Sequence, residues 1–145
     1  MTATTQPGIK DPHLPFSKTV NIDDSLMKSM NGFVGREIVV TEKMDGENTT
    51  LYHDHTHARS LDSRHHPSRD WVKGFWGTIR YQIPQGYRVC GENLYAEHSI
   101  AYDDLESYFY GFSVWDDQIC FSWDETLEMF KSWNVTPVPV LYRGR

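Results

Sequence analysis

The chain has 145 residues, enough for one domain with a modest core. Its 14 basic and 20 acidic residues leave a net charge of −6, which speaks against a tight, self-sufficient grip on nucleic acid, because such a grip needs a basic footprint. The only cysteines, Cys90 and Cys120, do not make a disulfide scaffold, so a reducing, cytoplasmic compartment is expected. No apolar run of about 18 residues suggests a membrane span, and the polar N-terminus lacks the apolar core of a signal peptide.

Along the chain, residues 1–20 read as an irregular arm, interrupted early by Pro7, Gly8, Pro12 and Pro15, and residues 21–145 as one folded domain. Residues 21–30 fit a short helix capped by Asp23 or Asp24, with Leu26, Met27 and Met30 on its apolar face; Gly32 and Gly35 end it. Residues 36–41 favour a strand, and residues 49–52 its hairpin partner, with Asp45-Gly46 as the turn signal. His53, His55 and His57 alternate and would share one face of an extended segment, where imidazoles could bind a metal; with no fourth ligand evident at structural-site spacing, a polar loop between strands is the simpler reading. Residues 58–71 form a loop dense in Arg, Ser and His, suited to phosphate or ribose oxygens, with Ser68 as the cap of a following helix.

That helix covers residues 71–81, where Trp71, Val72, Phe75, Trp76 and Ile79 recur at helical spacing and read as core. Pro84-Gln85-Gly86 is a turn. Residues 87–95 are a strand running into Gly91-Glu92, residues 96–105 an irregular connection, and residues 107–116 an aromatic strand turning at 116–118 into residues 119–121. Ser122 and Glu125 form a capping-box pattern for a helix ending near Trp133, and residues 135–141 read as a last Val/Pro strand. The pattern implies an α+β domain built on a largely antiparallel sheet with flanking helices.

Lys43 stands where the first strand runs into the turn, between Glu42 and Asp45. Lysine attacks as the neutral amine, so a nucleophilic lysine needs a cation, a metal or desolvation nearby; the two acids would then serve the ligand or a metal. Lys43-Met44-Asp45-Gly46 resembles the K-x-D-G motif of the covalent nucleotidyltransferases, namely ATP-dependent DNA ligases, RNA ligases and mRNA capping enzymes. Four residues with one wildcard also fit an ordinary hairpin with a solvated lysine. The order of the polar islands is more specific: Lys43, Arg59, Gly91-Glu92 and the aromatic strand 108–112 follow the superfamily's order over residues 39–140. Glu42-Lys43 with Asn48, and Gly91-Glu92-Asn93-Leu94-Tyr95, look most like the RNA ligase branch.

The resemblance implies the N-terminal part of an ATP-grasp-like nucleotidyltransferase domain, with ATP and Mg²⁺ or Mn²⁺ as cofactors and RNA 5′-phosphate and 3′-hydroxyl ends as partners. By that resemblance Lys43 is the adenylylated nucleophile and Glu42 meets the adenine amine. Asp45 belongs to the nucleotide-binding set, and Asn48 lies near the phosphates. Arg59 contacts ribose or the terminal phosphate, with Arg64 as the alternative, and Arg64 and Arg69 as further phosphate or RNA contacts. Glu92 accepts from a ribose hydroxyl, and Phe112 stacks on adenine. Without the resemblance, Phe112 also fits simple core and Glu92 a solvated strand end. The family continues with an E-G-x-V strand and a K-x-K strand, and neither appears after Asp116. The expectation is therefore a piece of a longer ligase whose 145 residues self-adenylylate weakly or not at all. A non-catalytic nucleotide- or RNA-binding relative, a DNA ligase and a capping-type enzyme are the alternatives.

Overall fold

A computed structural model describes residues 12–17, 25–58, 67–95 and 107–145, the side chains of Pro67 and Ser68 excepted. The strands are β1 (Ile38–Thr41), β2 (Glu47–Leu51), β3 (Thr56–Ala58), β4 (Tyr87–Asn93), β5 (Phe109–Asp116), β6 (Ile119–Cys120), β7 (Thr136–Pro137) and β8 (Val140–Gly144). The helices are α1 (Pro67–Ile79) and α2 (Trp123–Trp133). The main sheet runs β3-β2-β4-β5-β6, all antiparallel, and β7 joins β5 in parallel. A separate two-stranded sheet pairs β1 with β8. The α+β class with a largely antiparallel sheet is as expected.

Alternation along β5 divides the apolar residues between two faces. Phe109 and Val114 join Leu51, Val89, α1 residues Val72 and Ile79, and α2 residues Phe130 and Trp133 in the main core. Tyr110 and Phe112 point the other way, into a smaller cluster with Met44, Leu94, Val138 and Trp123. The helical spacing in residues 71–81 works as anticipated: Val72 and Ile79 are buried, and Trp71, Phe75 and Trp76 pack against the core. α2 is capped by Ser122, whose Oγ accepts from the Glu125 N–H at 3.2 Å and donates to Glu125 Oε1 at 2.9 Å. Asn134 closes the helix in the left-handed conformation at φ 58°.

Four expectations need correction. β2 is not the hairpin partner of β1; it pairs with β3 and β4, and residues 42–46 carry the chain from the small sheet to the large one. Residues 25–30 are not helical, because the backbone there is taken by residue 13: the His13 N–H donates to Ser25 O and the Met27 N–H to His13 O. α1 starts at Pro67, whose fixed φ and missing N–H suit a first turn, so Ser68 lies inside the helix and is not its cap. The last strand is two strands in two sheets. Pro137 and Pro139 cannot donate to a ladder, so the chain leaves β7 after one further bond, Val138 N–H to Gly111 O, and enters β8. Residues 1–11 and 18–24, and the connection 96–105, lie outside the described residues.

Candidate functional site

Lys43 sits in the crossing between the two sheets with its side chain exposed, while Met44 beside it is buried in the smaller cluster. Three tertiary hydrogen bonds fix this crossing. The Glu42 N–H donates to Pro139 O at 2.9 Å, tying the lysine segment to the second crossing, which runs from β7 to β8. One residue earlier on that second crossing, the Val138 N–H reaches Gly111 on β5, next to Phe112. The Gly46 N–H donates to Glu92 Oε1 at 3.1 Å, so the carboxylate 46 residues away closes on the lysine loop. An added Cβ at Gly46 would lie 2.4 Å from Asn93 O, so the loop packs directly on the backbone at the end of β4.

Asn48 lies opposite Glu92 in the β2–β4 ladder, and Glu92 lies opposite Tyr110 in the β4–β5 ladder. Cross-strand partners share a face, so Asn48, Glu92 and Tyr110 form a row beside the lysine loop. Asn48 Oδ1 is buried with no hydrogen-bond partner among the described residues. A buried polar atom without a partner is uncommon.

A bulge sits at Phe112. Cys90 pairs with Ser113 and the next residue, Gly91, pairs with Gly111, so Phe112 is the extra residue on β5. It lines a cavity of about 240 Å³ together with Phe33, Ile38, Thr41, Ser113 and Trp123. Lys43 and Glu92 do not line this cavity; the connection to the nucleophile runs through Thr41 and Glu42.

Arg69 is drawn to Glu47, with Nε to Oε1 at 3.1 Å and Nη2 to Oε2 at 3.0 Å, a forked pair that ties α1 to the start of β2. Arg59 and Arg64 lie outside the described residues. Lys43, Glu42, Asp45, Asn48, Glu92 and Phe112 are thus gathered around one crossing, and Arg69 flanks them as a partner of Glu47. The bulge at Phe112 was not anticipated. Its signal was available in Gly91 and Gly111, glycines inside two strand patterns.

The three histidines do not form a ligand set, and among the described residues no group of three or more His, Cys, Asp or Glu is placed to hold a metal ion. The His53 ring bonds Ile83 O at 2.8 Å, His55 bonds Asp54 at 2.6 Å, and His57 Nε2 lies 2.9 Å from the Tyr52 hydroxyl. Burial pushes the Tyr52 hydroxyl above its ordinary pKa and holds His57 below its own. The hydrogen bond from His55 holds Asp54 below the usual carboxylate range. No helix among the described residues is long and apolar enough to cross a membrane.

The family model described as RNA ligase matches residues 36–145. The chain belongs to the RNA ligase family. An apo mutant of the Naegleria gruberi RNA ligase is similar in structure, with a TM-score of 0.51 and 19% sequence identity over 79% of this chain, which shows a shared fold. The match covers 38% of the Naegleria chain, so this chain spans well under half of that protein. No curated protein matches the sequence. The family match begins two residues before β1 and takes in the lysine crossing, Asn48, Glu92 and Phe112.

Proposed function

We propose that this chain is the adenylylation part of an ATP-dependent RNA ligase, using Lys43 to form a lysyl-AMP intermediate on the way to sealing 5′-phosphate to 3′-hydroxyl ends. The observation that carries the reading is the Gly46 N–H to Glu92 Oε1 bond, which brings the lysine motif and the Gly-Glu motif into contact from 46 residues apart. The amine of Lys43 attacks the α-phosphorus of ATP, the P–O bond to pyrophosphate breaks, and the amine proton passes to solvent. Transfer of this kind depends on in-line placement of the nucleophile and on neutralising spreading charge.

The residues present fit a nucleotide. Phe112 offers a ring to adenine at the cavity wall, Glu42 follows cavity-lining Thr41 and accepts from the adenine amine, and Glu92 accepts from a ribose hydroxyl. Asn48 Oδ1, without a hydrogen-bond partner among the described residues, supplies an acceptor beside them. Mg²⁺ commonly binds through one or two carboxylates and the phosphates of its nucleotide, so Asp45 and Glu92 are the side chains suited to it, and the ion would neutralise phosphate charge. Arg59, with Arg64 as its alternative, remains assigned to ribose or phosphate contact by resemblance alone.

The test is incubation with Mg²⁺ and ATP labelled in its α-phosphate, followed by denaturing electrophoresis. Covalent label on the wild-type chain, or on the longer gene product if this chain is a piece of one, and none on Lys43→Ala, supports the reading. Nucleotide binding that survives Lys43→Ala with no adduct on either wild-type protein refutes it in favour of a non-catalytic relative.

A further inference from the structure

Away from the lysine crossing, the far end of β2 carries an aromatic and cationic cluster that the nucleotide site does not use. Arg80, just past α1, holds its guanidinium 4.5 Å from the Trp76 ring centre and 5.0 Å from that of Tyr81. It forms no ion pair with any described carboxylate, and its Nε is buried without a hydrogen-bond partner among the described residues. Tyr81 is 78% exposed. The His53 ring meets Tyr81 edge-on at 6.1 Å, and His55 stacks on Tyr52 at 4.1 Å and 10°. Trp76 Nε1 donates to Tyr52 O at 2.6 Å, which fixes the two layers to each other.

Along the sequence, residues 71–91 contain Lys73, Arg80 and Arg88 and no acid, in a protein with 20 acidic residues; Asp54, Asp116 and Asp117 adjoin this stretch from other elements. The acid nearest the rings in sequence, Asp54, is paired with His55 at 2.6 Å. Arg88 lies over Trp115 at 5.0 Å and donates to Asp117 O, so it extends the cationic strip toward β5.

We infer that this face binds single-stranded RNA, with unpaired bases stacking on Tyr81 and His55 and the backbone phosphates drawn to Arg80. Exposed rings beside planar guanidinium groups suit unstacked bases, which single strands offer and duplexes hide. Tyr52 is four positions on from Asn48, a span of about 13 Å, so a strand held here reaches the lysine crossing within a few nucleotides. The inference rests on the RNA ligase reading for its choice of polymer, but its test does not use catalysis.

The experiment is fluorescence anisotropy of a short fluorescein-labelled single-stranded RNA titrated with the full 145-residue chain, its Tyr81→Ala and Tyr81→Phe variants, and Arg80→Gln. Tyr81→Ala should bind about tenfold more weakly and Tyr81→Phe within about twofold of wild type, since stacking needs the ring and not the hydroxyl. Arg80→Gln should flatten the salt dependence of binding by about one phosphate contact. The same RNA annealed into a blunt duplex should bind more weakly than the single strand. Wild-type affinity in Tyr81→Ala overturns the inference and leaves the face to a protein partner; so does equal affinity for duplex and single strand. ATP labelling, on this chain or on the longer gene product if there is one, should be unchanged by Tyr81→Ala; absence of label on the wild-type protein counts against the catalytic reading without touching this one.

Discussion

Replacing Gly46 by alanine separates two reasons for that glycine. In an Asp-Gly turn the residue serves for its freedom at positive φ, and asparagine, which tolerates that region, would be an acceptable substitute. In the structure Gly46 is not among the residues at positive φ. The constraint is space: a Cβ would lie 2.4 Å from Asn93 O, 2.6 Å from Leu94 Cδ2 and 3.1 Å from the Asn93 carbonyl carbon. Two of those three atoms are backbone, so no rotamer change relieves the clash. The loop must retreat by about half an ångström or more, and the 3.1 Å bond from Gly46 to Glu92 stretches with it. Overpacking of this sort costs about 1–3 kcal/mol, which for a chain of this size lowers Tm by roughly 3–9 °C. Thermal melting followed by circular dichroism measures it, with ATP labelling in parallel. Gly46→Asn should be at least as damaging as Gly46→Ala, since it carries the same Cβ. A Gly46→Ala protein that melts with wild type, or a Gly46→Asn protein that outperforms it, would refute the close-approach account.

Two further predictions concern Asn48 and Asp124. An unsatisfied buried polar atom costs about 1–3 kcal/mol, so Asn48→Ala should leave Tm level or raise it while weakening ATP labelling; a clear fall in Tm would mean that Oδ1 has a partner in the fold. Arg143 joins Asp124 at 2.6 and 2.9 Å and Glu37 at 3.0 Å; the Asp124 hydrogen bond holds Asp124 below the usual carboxylate range and, with Glu37, holds Arg143 above its own. A carboxyl whose folded pKa is depressed stabilises above its unfolded pKa and loses that stabilisation as pH falls through the folded value. The stability difference between wild type and Asp124→Asn should therefore be small near neutrality, shrink with added salt, and vanish below the ordinary carboxylate range; a difference that grows on acidification contradicts the pairing.

What could be read from the residues alone follows the range of the interactions. α1 was legible from Trp71, Val72, Phe75, Trp76 and Ile79 because a helix face is written in neighbours three and four apart. The α2 start was legible because Ser122 and Glu125 bond each other within one turn. The helix expected over residues 21–30 failed for the opposite reason: its residues 25–27 pair with His13, a contact that local propensity does not record. The same holds for β1, whose partner β8 lies a hundred residues on, while a strong local turn signal pointed to β2. The candidate site residues stand in the sequence as an ordered set of islands, yet their arrangement could not be read there. The forked pair of Arg69, a possible phosphate or RNA contact, with Glu47 was not foreseen, nor was the bulge at Phe112 set by the pairing of Gly91 with Gly111.

The constraints at the crossing lie mostly in glycine and main chain, not in the charged side chains that name the motif. Two of the three bonds that gather the site, Glu42 to Pro139 and Val138 to Gly111, are backbone to backbone. A Cβ at Gly91 would meet the Phe109 ring at 2.4 Å and Tyr110 O at 2.6 Å, and one at Gly111 would meet the Phe130 ring at 2.5 Å. Together with Gly46, these positions let β2, β4, β5 and α2 close to distances that no larger residue permits. Lys43 itself is exposed and takes no part in that packing. Its removal should therefore abolish covalent labelling while leaving the crossing intact, whereas a methyl group at Gly46, Gly91 or Gly111 should disturb the crossing with the lysine still present. That contrast separates a residue that performs the chemistry from residues that hold it in position.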